Sequence, residues 1–396
     1  MSSEAAAVPD APRAAHRDAS DGFSFGRFVA ILLKEFVQMR RDRLTFAMIV
    51  GIPILQVVLF GYAINSDPKS LPTAVVDYDK SEFSRSIVQG LANTRYFAIS
   101  HAPQGESEAD RLLALGDVQF AIVIPPDFSR KLQRGERPTV LAAADATDPS
   151  ATGNALAALS QVGQSVLRYD LTGTLAQHAA DDPPFQWVVQ RRYNPEGNTQ
   201  YNIVPGLLGV ILQMTMVMMT AFAVTRERER GTFENLLATP ALPLEVMTGK
   251  IVPYILVGFI QAAIILGAAR VLFDVPMLGS FLLLFVAMMV YIAALLALGF
   301  TISTLAGNQL QAMQMTFFFF LPSLLLSGFM FPFRGMPAWA QALGEIFPLT
   351  HFLRIVRGVL LKGNGPAEVW VHLWPIGIFM LAVATLALFR YRRTLD

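Results

Sequence analysis

Six long apolar runs constrain the fold of this chain more than any other feature of its sequence. Each run is close to the roughly 20 residues that a helix needs to cross the hydrocarbon core of a membrane. The runs cover residues 44–64, 203–225, 251–269, 279–303, 316–333 and 371–389. Composition agrees, because only 15% of the residues are charged, against roughly 25% in an ordinary soluble protein. The sequence therefore predicts a polytopic α-helical membrane protein with six transmembrane helices.

The composition of the runs also predicts that these helices pack together. Every run contains Gly or other small residues, and Pro53 and Pro322 lie inside their runs. A proline leaves a helix carbonyl without its donor, and in lipid a neighbouring helix has to satisfy that carbonyl. We therefore expect a helical bundle.

Charge balance and cysteine content exclude several classes of protein. Lys and Arg number 31 and Asp and Glu number 30, so the concentrated basic surface that nucleic-acid binding requires is not expected. The chain contains no cysteine, which rules out a disulfide framework, a thiolate metal site and a cysteine nucleophile. We expect neither a nucleic-acid partner nor a metal site.

The positions of Lys and Arg beside the runs predict the orientation. Basic residues lie before the first run, between the second and third, and after the sixth: Arg40, Arg41, Arg43, Arg226, Arg228, Arg230, Lys250, Arg390, Arg392 and Arg393. The positive-inside rule places these segments in the cytoplasm, so both termini are predicted to be cytoplasmic and residues 65–202 to lie outside. The segment 334–370 breaks the rule, because it carries four basic residues on the predicted outer side.

Segment 65–202 has the pattern of an α/β domain inserted between helices 1 and 2. The stretches "LPTAVVDYD", "VQFAIVIP" and "TVLAAADA" predict strands, and "SEFSRSIVQGLANT" predicts a helix. Ser107 and Asp110 have the spacing of a capping box at the start of another helix. Alternating strands and helices indicate a small mixed sheet. No catalytic constellation is present, and His101 and His178 have polar neighbours that suit surface positions.

Two segments precede the first run. Residues 1–26 form a polar, Ala-rich stretch, which predicts a disordered cytoplasmic tail. Residues 27–43 form an amphipathic interfacial helix, with its apolar face made by Phe28, Ile31, Leu32, Phe36 and Met39. This helix is either a membrane anchor or an elbow that also touches a cytoplasmic partner, through Lys34, Glu35, Arg41 and Asp42.

The stretch "TRERERGTFENLLATP", residues 225–240, follows the second run and alternates positive and negative charges. The positive-inside rule explains only the basic residues of this stretch, so its acidic residues require another explanation. Gly231 permits a break, Thr232 suits a helix N-cap, and Glu234 lies in the first turn, where the helix dipole favours an anion. This pattern predicts a short charged helix within 226–243, which either docks into a groove of another protein or serves as a passive anchor.

Four separated stretches carry a resemblance to a known family: "KEFVQMRRD", "RRYNPEGNTQYNIVPG", "TRERERGTFENLLATP" and "PLTHFLRIVRGVLLKG". In this order they resemble the ABC type 2 membrane family, the permease subunits of ATP-binding-cassette exporters. The subgroup with a large extracytoplasmic domain after the first span, which includes bacterial multidrug-type exporters, is the most similar. The resemblance covers most of the chain beyond residue 27.

The resemblance implies a mechanism and its partners. The charged helix after the second span would be the element that couples to the ATPase, and its residues here are Glu227, Glu229, Arg230, Gly231, Thr232 and Glu234. The chain would bind no cofactor and would not be an enzyme, since "MTGKI" lacks the Gly-rich cradle and the Ser or Thr of a phosphate loop. ATP and Mg would be used by a partner ATPase subunit.

Further partners and the location follow from the same resemblance. A second permease subunit is implied, either an identical copy or a related paralogue, and there is room for a periplasmic adaptor protein. The expected location is the bacterial inner membrane.

Alternatives remain for the cargo and for the energy source. The expected cargo is a hydrophobic or drug-like molecule moved from the cytoplasm or inner leaflet, and export of lipid or polysaccharide stays open. An ion-coupled secondary transporter is disfavoured, because the centres of the runs contain no Asp, Glu, Lys or Arg, and the polar residues there are Gln56, Gln213 and Gln261. A receptor would need only one or two spans. Phe317 to Phe320 either line a path or face lipid.

The segment "PLTHFLRIVRGVLLKG", residues 348–363, predicts an amphipathic helix too short to span the membrane. It is expected to lie flat at the outer interface or to dip back between spans five and six, with its arginines reaching lipid phosphates. It is either an anchor or a re-entrant cap on the exit of the pathway. For the cap, the candidate residues are Arg354 and Arg357, and "DYDKSE" is a possible acidic partner in the outer domain.

Overall fold

The computed structural model describes residues 25–41, 69–171, 183–229 and 243–393. Several predictions therefore lie outside the described residues. These are the tail up to residue 24, the first run at 44–64, and the candidate site residues Asp42, Arg230, Gly231, Thr232 and Glu234.

Residues 71–171 and 183–192 form an α/β domain, called the sheet domain below. Its elements in chain order are β1 (Leu71–Asp77), α2 (Glu82–Asn93), β2 (Phe97–His101), α3 (Glu106–Leu115), β3 (Phe120–Ile124), α4 (Phe128–Gln133), β4 (Thr139–Asp145), α5 (Pro149–Ser165) and β5 (Gln186–Arg192); α1 (Phe25–Arg41) precedes them. The strands pair in the order β2-β1-β3-β4-β5. β1 is parallel to β2 and β3, β4 is antiparallel to β3, and β5 is parallel to β4. The predicted mixed sheet is confirmed.

Both faces of the sheet are covered. On one face, Phe120, Ile122 and Val140 pack with buried residues of α2, α4 and α5. On the other face, Ala109 and Leu113 of α3 cover Val76, Ala121 and Val123. Because β3 is buried on both sides, its sequence "FAIVI" is apolar throughout.

The sequence missed two strands of the sheet. β2 and β5 lie at the two edges of the described sheet and are mostly exposed, so they lack the apolar run that revealed the buried strands. The predicted capping box at Ser107 is wrong. Gly105 is the N-cap of α3, and the Glu108 carboxylate reaches back to accept a hydrogen bond from the Gln104 backbone N–H at 3.0 Å.

The remainder of the described chain is helical. Its elements are α6 (Thr199–Glu229), α7 (Pro243–Phe273), α8 (Phe281–Leu305), α9 (Gln309–Leu326), a 3₁₀ turn (Phe333–Gly335), α10 (Ala338–Gly344), α11 (Pro348–Arg357), a π-helical turn (Gly358–Lys362) and α12 (Pro366–Arg393). Five of these helices are long and apolar enough to span a membrane: α6, α7, α8, α9 and α12. They correspond to the second to sixth predicted spans.

The position of the fifth span differs from its prediction at 316–333. α9 begins earlier, because the Asn308 side chain caps it by accepting a hydrogen bond from the Gln311 N–H at 2.8 Å. The chain then turns at Gly328, whose φ of 84° suits glycine. Hydrophobicity alone reveals neither the Asn308 cap nor the turn at Gly328, because residues 327–333, beyond the end of α9, are still mostly apolar.

The long helices form the predicted bundle, with α8 packed between α6 and α12. Gly299 of α8 shows why small residues are needed. A Cβ at this position would lie 2.6 Å from the backbone O of Val217 in α6. The two helix backbones therefore approach more closely than any side chain would allow.

Gly299→Ala should destabilise the bundle by about 1–3 kcal/mol, because a backbone oxygen cannot move aside as a side chain can. Gly377→Ala in α12 is the matched control, since no atom lies within 4 Å of a Cβ built there. Thermal unfolding of both purified variants in detergent measures the difference. Equal melting temperatures would contradict the close helix contact.

Candidate functional site

α6 connects the two regions of interest. It leaves the sheet domain through a turn in which the Asn194 side chain exchanges hydrogen bonds with Asn198 at 2.9 and 3.0 Å. With 31 residues, it is about 46 Å long. Its far end is called the α6 end, and comprises Glu227, Glu229 and the residues they contact. Its start lies at the domain junction, defined as the contact between the sheet domain and residues 327–372.

At the α6 end, Glu229 binds the first residue of α9. Its carboxylate accepts hydrogen bonds from the backbone N–H of Gln309, at 2.8 Å, and from the Gln309 side-chain amide. An anion is favoured at this position because the N-terminus of α9 carries a partial positive charge. The same side-chain and backbone hydrogen bonds lower the pKa of Glu229. Glu229 therefore joins the end of α6 to the beginning of α9.

The amphipathic helix α1 also lies at this end. Lys34 Nζ is 4.0 Å from the carboxylate of Glu227. Ile31 packs closely against Gly249 of α7, since a Cβ built on Gly249 would lie 2.8 Å from the Ile31 side chain. Gly249 and Lys250 of "MTGKI" are thus part of a packed helix rather than of a phosphate-binding loop. Of the predicted elbow residues, Lys34 makes this contact, and Glu35 and Arg41 lie in α1, although their side chains are outside the described part.

The predicted coupling residues divide between described and undescribed chain. Glu227 and Glu229 form part of the last turn of α6, which extends to residue 229. The intervening residues up to 242 are outside the described chain, and α7 begins at Pro243. Gln309 was missed by the sequence analysis, because its partner is 80 residues away.

The domain junction centres on Lys362, the last residue of the π-helical turn. Its ammonium group lies 2.6 Å from the carboxylate of Asp145 at the end of β4. It also donates to the backbone O of Leu113 at 3.1 Å and lies 5.1 Å from the ring centre of Tyr193. The side chains of Lys362 and Asp145 are only 9% and 7% exposed, so this is a buried ion pair between the sheet domain and the bundle.

Asp145 and Tyr193 are held in place for this contact. The second carboxylate oxygen of Asp145 accepts from the Thr147 N–H at 3.1 Å and from its hydroxyl at 2.7 Å. Burial, together with the nearby carboxylate of Asp145, raises the pKa of Tyr193 to about 12. The phenol therefore stays neutral beside Lys362.

The C-terminal end of α3 provides the other acceptors of the junction. Lys362 donates to Leu113, and Arg334 donates to the backbone O of Gly116 at 3.1 Å. The last carbonyls of a helix lack partners within the helix and carry a partial negative charge, which attracts cations. The basic segment that broke the topology rule thus docks on the negative end of a helix in the sheet domain.

The acidic partner predicted for this segment is wrong. In "DYDKSE", Asp77 accepts a hydrogen bond from the Ser84 hydroxyl at 2.7 Å, and Asp79 accepts from the Ser129 hydroxyl at 2.9 Å. The carboxylates of Asp77 and Asp79 are therefore used inside the sheet domain, and Glu82, the third acid of the stretch, lies in the first turn of α2. The actual partner, Asp145, ends the third predicted strand, and a charged residue after a buried run was the only signal available.

Arg357 contacts two helix ends instead of lipid phosphates. Its Nε donates to the backbone O of Asn202 in the first turns of α6 at 3.3 Å, and its Nη1 donates to the backbone O of Gly328 after α9 at 3.2 Å. A Cβ on Gly206 would lie 3.3 Å from its Nη2, so the guanidinium lies against the α6 backbone. The expected reach towards lipid is wrong for Arg357.

Arg354 belongs to a separate cluster on the same helix. Its guanidinium donates to both carboxylate oxygens of Glu345, at 3.1 and 2.6 Å, and lies 4.6 Å from the ring centre of Phe333. Burial would raise the pKa of Glu345, but the hydrogen bond and charge of Arg354 lower it overall. His351 lies 2.9 Å from the backbone O of Glu345, and its burial lowers its pKa.

α11 is embedded among the long helices. Phe352 and Val356 are fully buried, and the Phe352 ring stacks on that of Tyr291 in α8 at 4.1 Å. The π-helical turn accepts hydrogen bonds from the loop before α8, with the Gly279 N–H donating to Val359 at 2.8 Å. A helix packed in this way does not lie flat on a surface, so the alternative in which the segment dips into the bundle fits the structure better.

A cavity of about 190 Å³ lies at the junction. Its walls come from the α3 end, the region after β4, the turn after α9, and α11. Arg334, Arg354, Arg357 and Lys362 all line it, together with Asp117, Asp145, Asp148 and Glu368. The cavity is therefore strongly polar and has both signs of charge.

In the middle of α6 and α7, the two buried glutamines are neutral. The Gln213 carbonyl lies 3.1 Å from the Ser323 hydroxyl of α9, and the Gln261 carbonyl accepts from the Thr215 hydroxyl at 2.8 Å. Both glutamines are buried. An ion-coupled transporter usually places an ionisable residue at this depth, and glutamine cannot take that role.

A bundle of apolar helices long enough to span a membrane, together with an α/β domain, defines a polytopic membrane protein. The model of the ABC-2 family transporter proteins matches residues 43–389. The chain belongs to this family, and it is an ABC transporter permease.

Individual relatives are similar in sequence to this chain along almost its whole length. The probable multidrug ABC transporter permease YbhR of Escherichia coli (strain K12) is 28% identical over 369 residues, which cover 93% of this chain and 99% of the relative. The probable multidrug ABC transporter permease YbhS of the same organism is 28% identical over 92% of this chain and 95% of its own length. ABC transporter G family member 20 of Dictyostelium discoideum is 26% identical over 91% of this chain and 50% of its own length.

Lys362→Met should destabilise the junction by about 3–5 kcal/mol, because it leaves the buried carboxylate of Asp145 without its cation. The double variant Lys362→Met/Asp145→Asn should recover much of this loss, since the uncompensated charge is gone. Lys131→Met, at an exposed position of α4, is the control. Thermal unfolding and limited proteolysis of the purified protein measure the effect, and an unaffected Lys362→Met variant would contradict the role of the ion pair.

Proposed function

We propose that this permease is the membrane subunit of an ATP-driven exporter that moves hydrophobic or drug-like molecules out of the cytoplasm or the inner leaflet. The observation that carries the proposal is the α6 end, where Glu229 links the start of the mixed-charge segment to α9. Motion applied to that segment reaches α9 directly through this contact. Family membership and the multidrug names of the relatives support the export of such molecules.

The energy comes from a partner in this proposal. A cytoplasmic ABC ATPase binds the segment around Glu227, Glu229, Arg230, Gly231, Thr232 and Glu234, with α1 as an elbow beside it. Lys34 links that elbow to Glu227. ATP and Mg act in the partner, and two permease subunits, identical or paralogous, form the complete translocator. A periplasmic adaptor is a further partner in the proposed assembly.

The proposed topology has six spans, cytoplasmic termini and the sheet domain outside, in the inner membrane of a bacterium. The relative YhhJ of Escherichia coli, named an inner membrane transport permease, supports that location. Trp339, Trp370 and Trp374 are at least half exposed near the junction. Tryptophan is enriched where a membrane meets water, so these side chains support a membrane boundary at the junction.

The hydrophobic cargo is supported by a groove between α8 and α9. It has a volume of about 400 Å³ and is lined by Leu298, Ile302, Gln314, Met315, Phe318 and Phe319. Phe318 is 83% exposed, whereas Phe320 is buried in the bundle. Aromatic and thioether side chains adapt to flat apolar or cationic molecules. Export of lipid by the same surface is the second candidate.

The segment of α10 and α11 is proposed as a re-entrant cap at the exit. Arg354 and Arg357 line the junction cavity, between the bundle and the proposed outer domain. A molecule that leaves along α6 and α9 would pass this polar cavity. Movement of the sheet domain about its contact with Lys362 would open or close the exit path at this cavity.

Gly231→Val should abolish ATP-dependent transport while the protein is still inserted, because a β-branched residue restricts the break proposed after α6. Gly153→Val on α5 is the control, since a Cβ there meets no atom within 4 Å. Transport and stimulated ATP hydrolysis are measured with the reconstituted complex. Normal transport by the Gly231→Val variant would refute the coupling role.

The absence of native cysteine makes the topology directly testable. A single cysteine in place of Ser100, which is exposed in the sheet domain, should react with an impermeant thiol reagent on intact cells. A single cysteine in place of Thr239, in the proposed cytoplasmic segment, should react only after the cells are opened. Labelling at position 239 on intact cells would reverse the proposed orientation.

A further inference from the structure

α6 and α9 are fastened to each other at both ends and in the middle. They run antiparallel, so that the end of α6 meets the beginning of α9 and the start of α6 meets the end of α9. Three polar contacts mark these levels: Glu229 with Gln309, Gln213 with Ser323, and Arg357 with the backbones of Asn202 and Gly328.

The contact at the α6 end uses two donors of one residue. Glu229 accepts from both the backbone N–H and the side-chain amide of Gln309. Two bonds from a carboxylate to the first turn of a helix fix the direction of that helix as well as its distance. Charge-assisted hydrogen bonds are roughly twice as strong as neutral ones, and because this pair is exposed, water and salt screen part of that strength.

The contact at the junction also uses two bonds, made by a side chain from a third helix. Arg357 of α11 donates to Asn202 in α6 through Nε and to Gly328 after α9 through Nη1. The planar guanidinium holds its donors in fixed directions, so it sets the spacing of the two backbones. Because Arg357 belongs to α11, the same contact ties both helices to the segment at the junction.

The middle contact lies in the apolar interior. The Ser323 hydroxyl donates to the Gln213 carbonyl at 3.1 Å, and both side chains are buried. A hydrogen bond between two spanning helices contributes about 0.6 kcal/mol on average. It adds little to the affinity of the helices, but it opposes sliding of one along the other.

We propose that α6 and α9 form a clasp that moves as one unit during transport, with Gln309 as the positioning residue that fastens α9 to the α6 end. The unit carries motion from the mixed-charge segment to Arg357 and the junction, about 40 Å away along α6 between Glu229 and Asn202. This inference rests on the proposed function, since it assumes that the motion begins next to Glu229. It goes beyond that function in making α6 and α9 one moving unit, which is fastened also through Gln213 and Arg357.

Binding of the ATPase by Glu229 and its fastening of α9 can be tested separately by exchanging the side chains of Glu229 and Gln309. Gln309→Glu puts two carboxylates together and should lower ATP-dependent transport on the order of tenfold, as expected when a charge-assisted bond becomes a repulsion. The double variant Glu229→Gln/Gln309→Glu rebuilds the pair with its donor and acceptor exchanged, and should restore transport. If Glu229 acts only by binding the ATPase, its loss cannot be repaired by a change at Gln309, and failure of the rescue would overturn the clasp.

Gln311→Glu is the matched control, because it adds the same charge to the same first turn of α9. Its side-chain oxygen accepts from the Gly307 N–H, and a glutamate can keep that bond. Transport by Gln311→Glu should equal that of the unsubstituted complex. Equal transport by Gln309→Glu would also overturn the clasp.

A distance measurement tests the clasp without relying on transport. Spin labels on cysteines introduced at Val224 of α6 and Leu310 of α9 report the separation of the two helices by pulsed electron paramagnetic resonance. In the purified permease we expect a narrow distribution that broadens in Gln309→Glu and narrows again in the double variant. In the complex with its ATPase, the distance should be the same with and without bound ATP analogue.

The outcomes distinguish the two proposals. A change of distance on ATP binding that exceeds the width of the distribution would overturn movement as one unit, even if transport is normal. An unsubstituted complex without ATP-dependent transport would overturn the proposed function, and the distances in the permease alone would still decide whether the clasp exists.

Arg357→Lys should lower transport as well, since an ammonium group does not reproduce the guanidinium fork. Arg192→Lys, which keeps its pairing with Asp110, is the control.

Discussion

The structure depends on the need to satisfy basic side chains that are removed from water. A buried cation is costly unless it is paired and hydrogen-bonded. Lys362 meets this need with Asp145 and the end of α3. Arg357 meets part of it with carbonyls of α6 and of the turn after α9, while its buried Nη2 has no hydrogen-bond partner among the described residues. These acceptors lie on distant parts of the chain. The position of the sheet domain and the packing of α11 follow from the same requirement.

α6 is the element through which the two regions communicate. One end is joined to the sheet domain by the Asn194 turn and touches Arg357, and the other end contacts α1 and α9. α6 packs closely against α8 through Gly299, and Pro205 interrupts its backbone hydrogen bonds near the Arg357 contact. This geometry places contacts of α6 with three other parts of the chain at its two ends.

The family and the general plan were accessible from sequence because they rest on local signals. Apolar length predicts spans, buried strands have continuous apolar runs, and the charged stretch after the second run is distinctive. The edge strands β2 and β5 were missed because exposed strands lack that signal. The fifth span was misplaced because Asn308 and Gly328, rather than hydrophobicity, set the limits of α9.

The sequence by itself determined a membrane protein of the ABC-2 family with long apolar helices and a mixed sheet, since each of these features depends on neighbours in the chain. Only the tertiary structure decided which acceptor each basic residue has. Lys362 pairs with Asp145, 217 residues away, and Gln309 with Glu229, 80 residues away. Such partners are chosen by packing and desolvation in three dimensions, and no local pattern of residues records them.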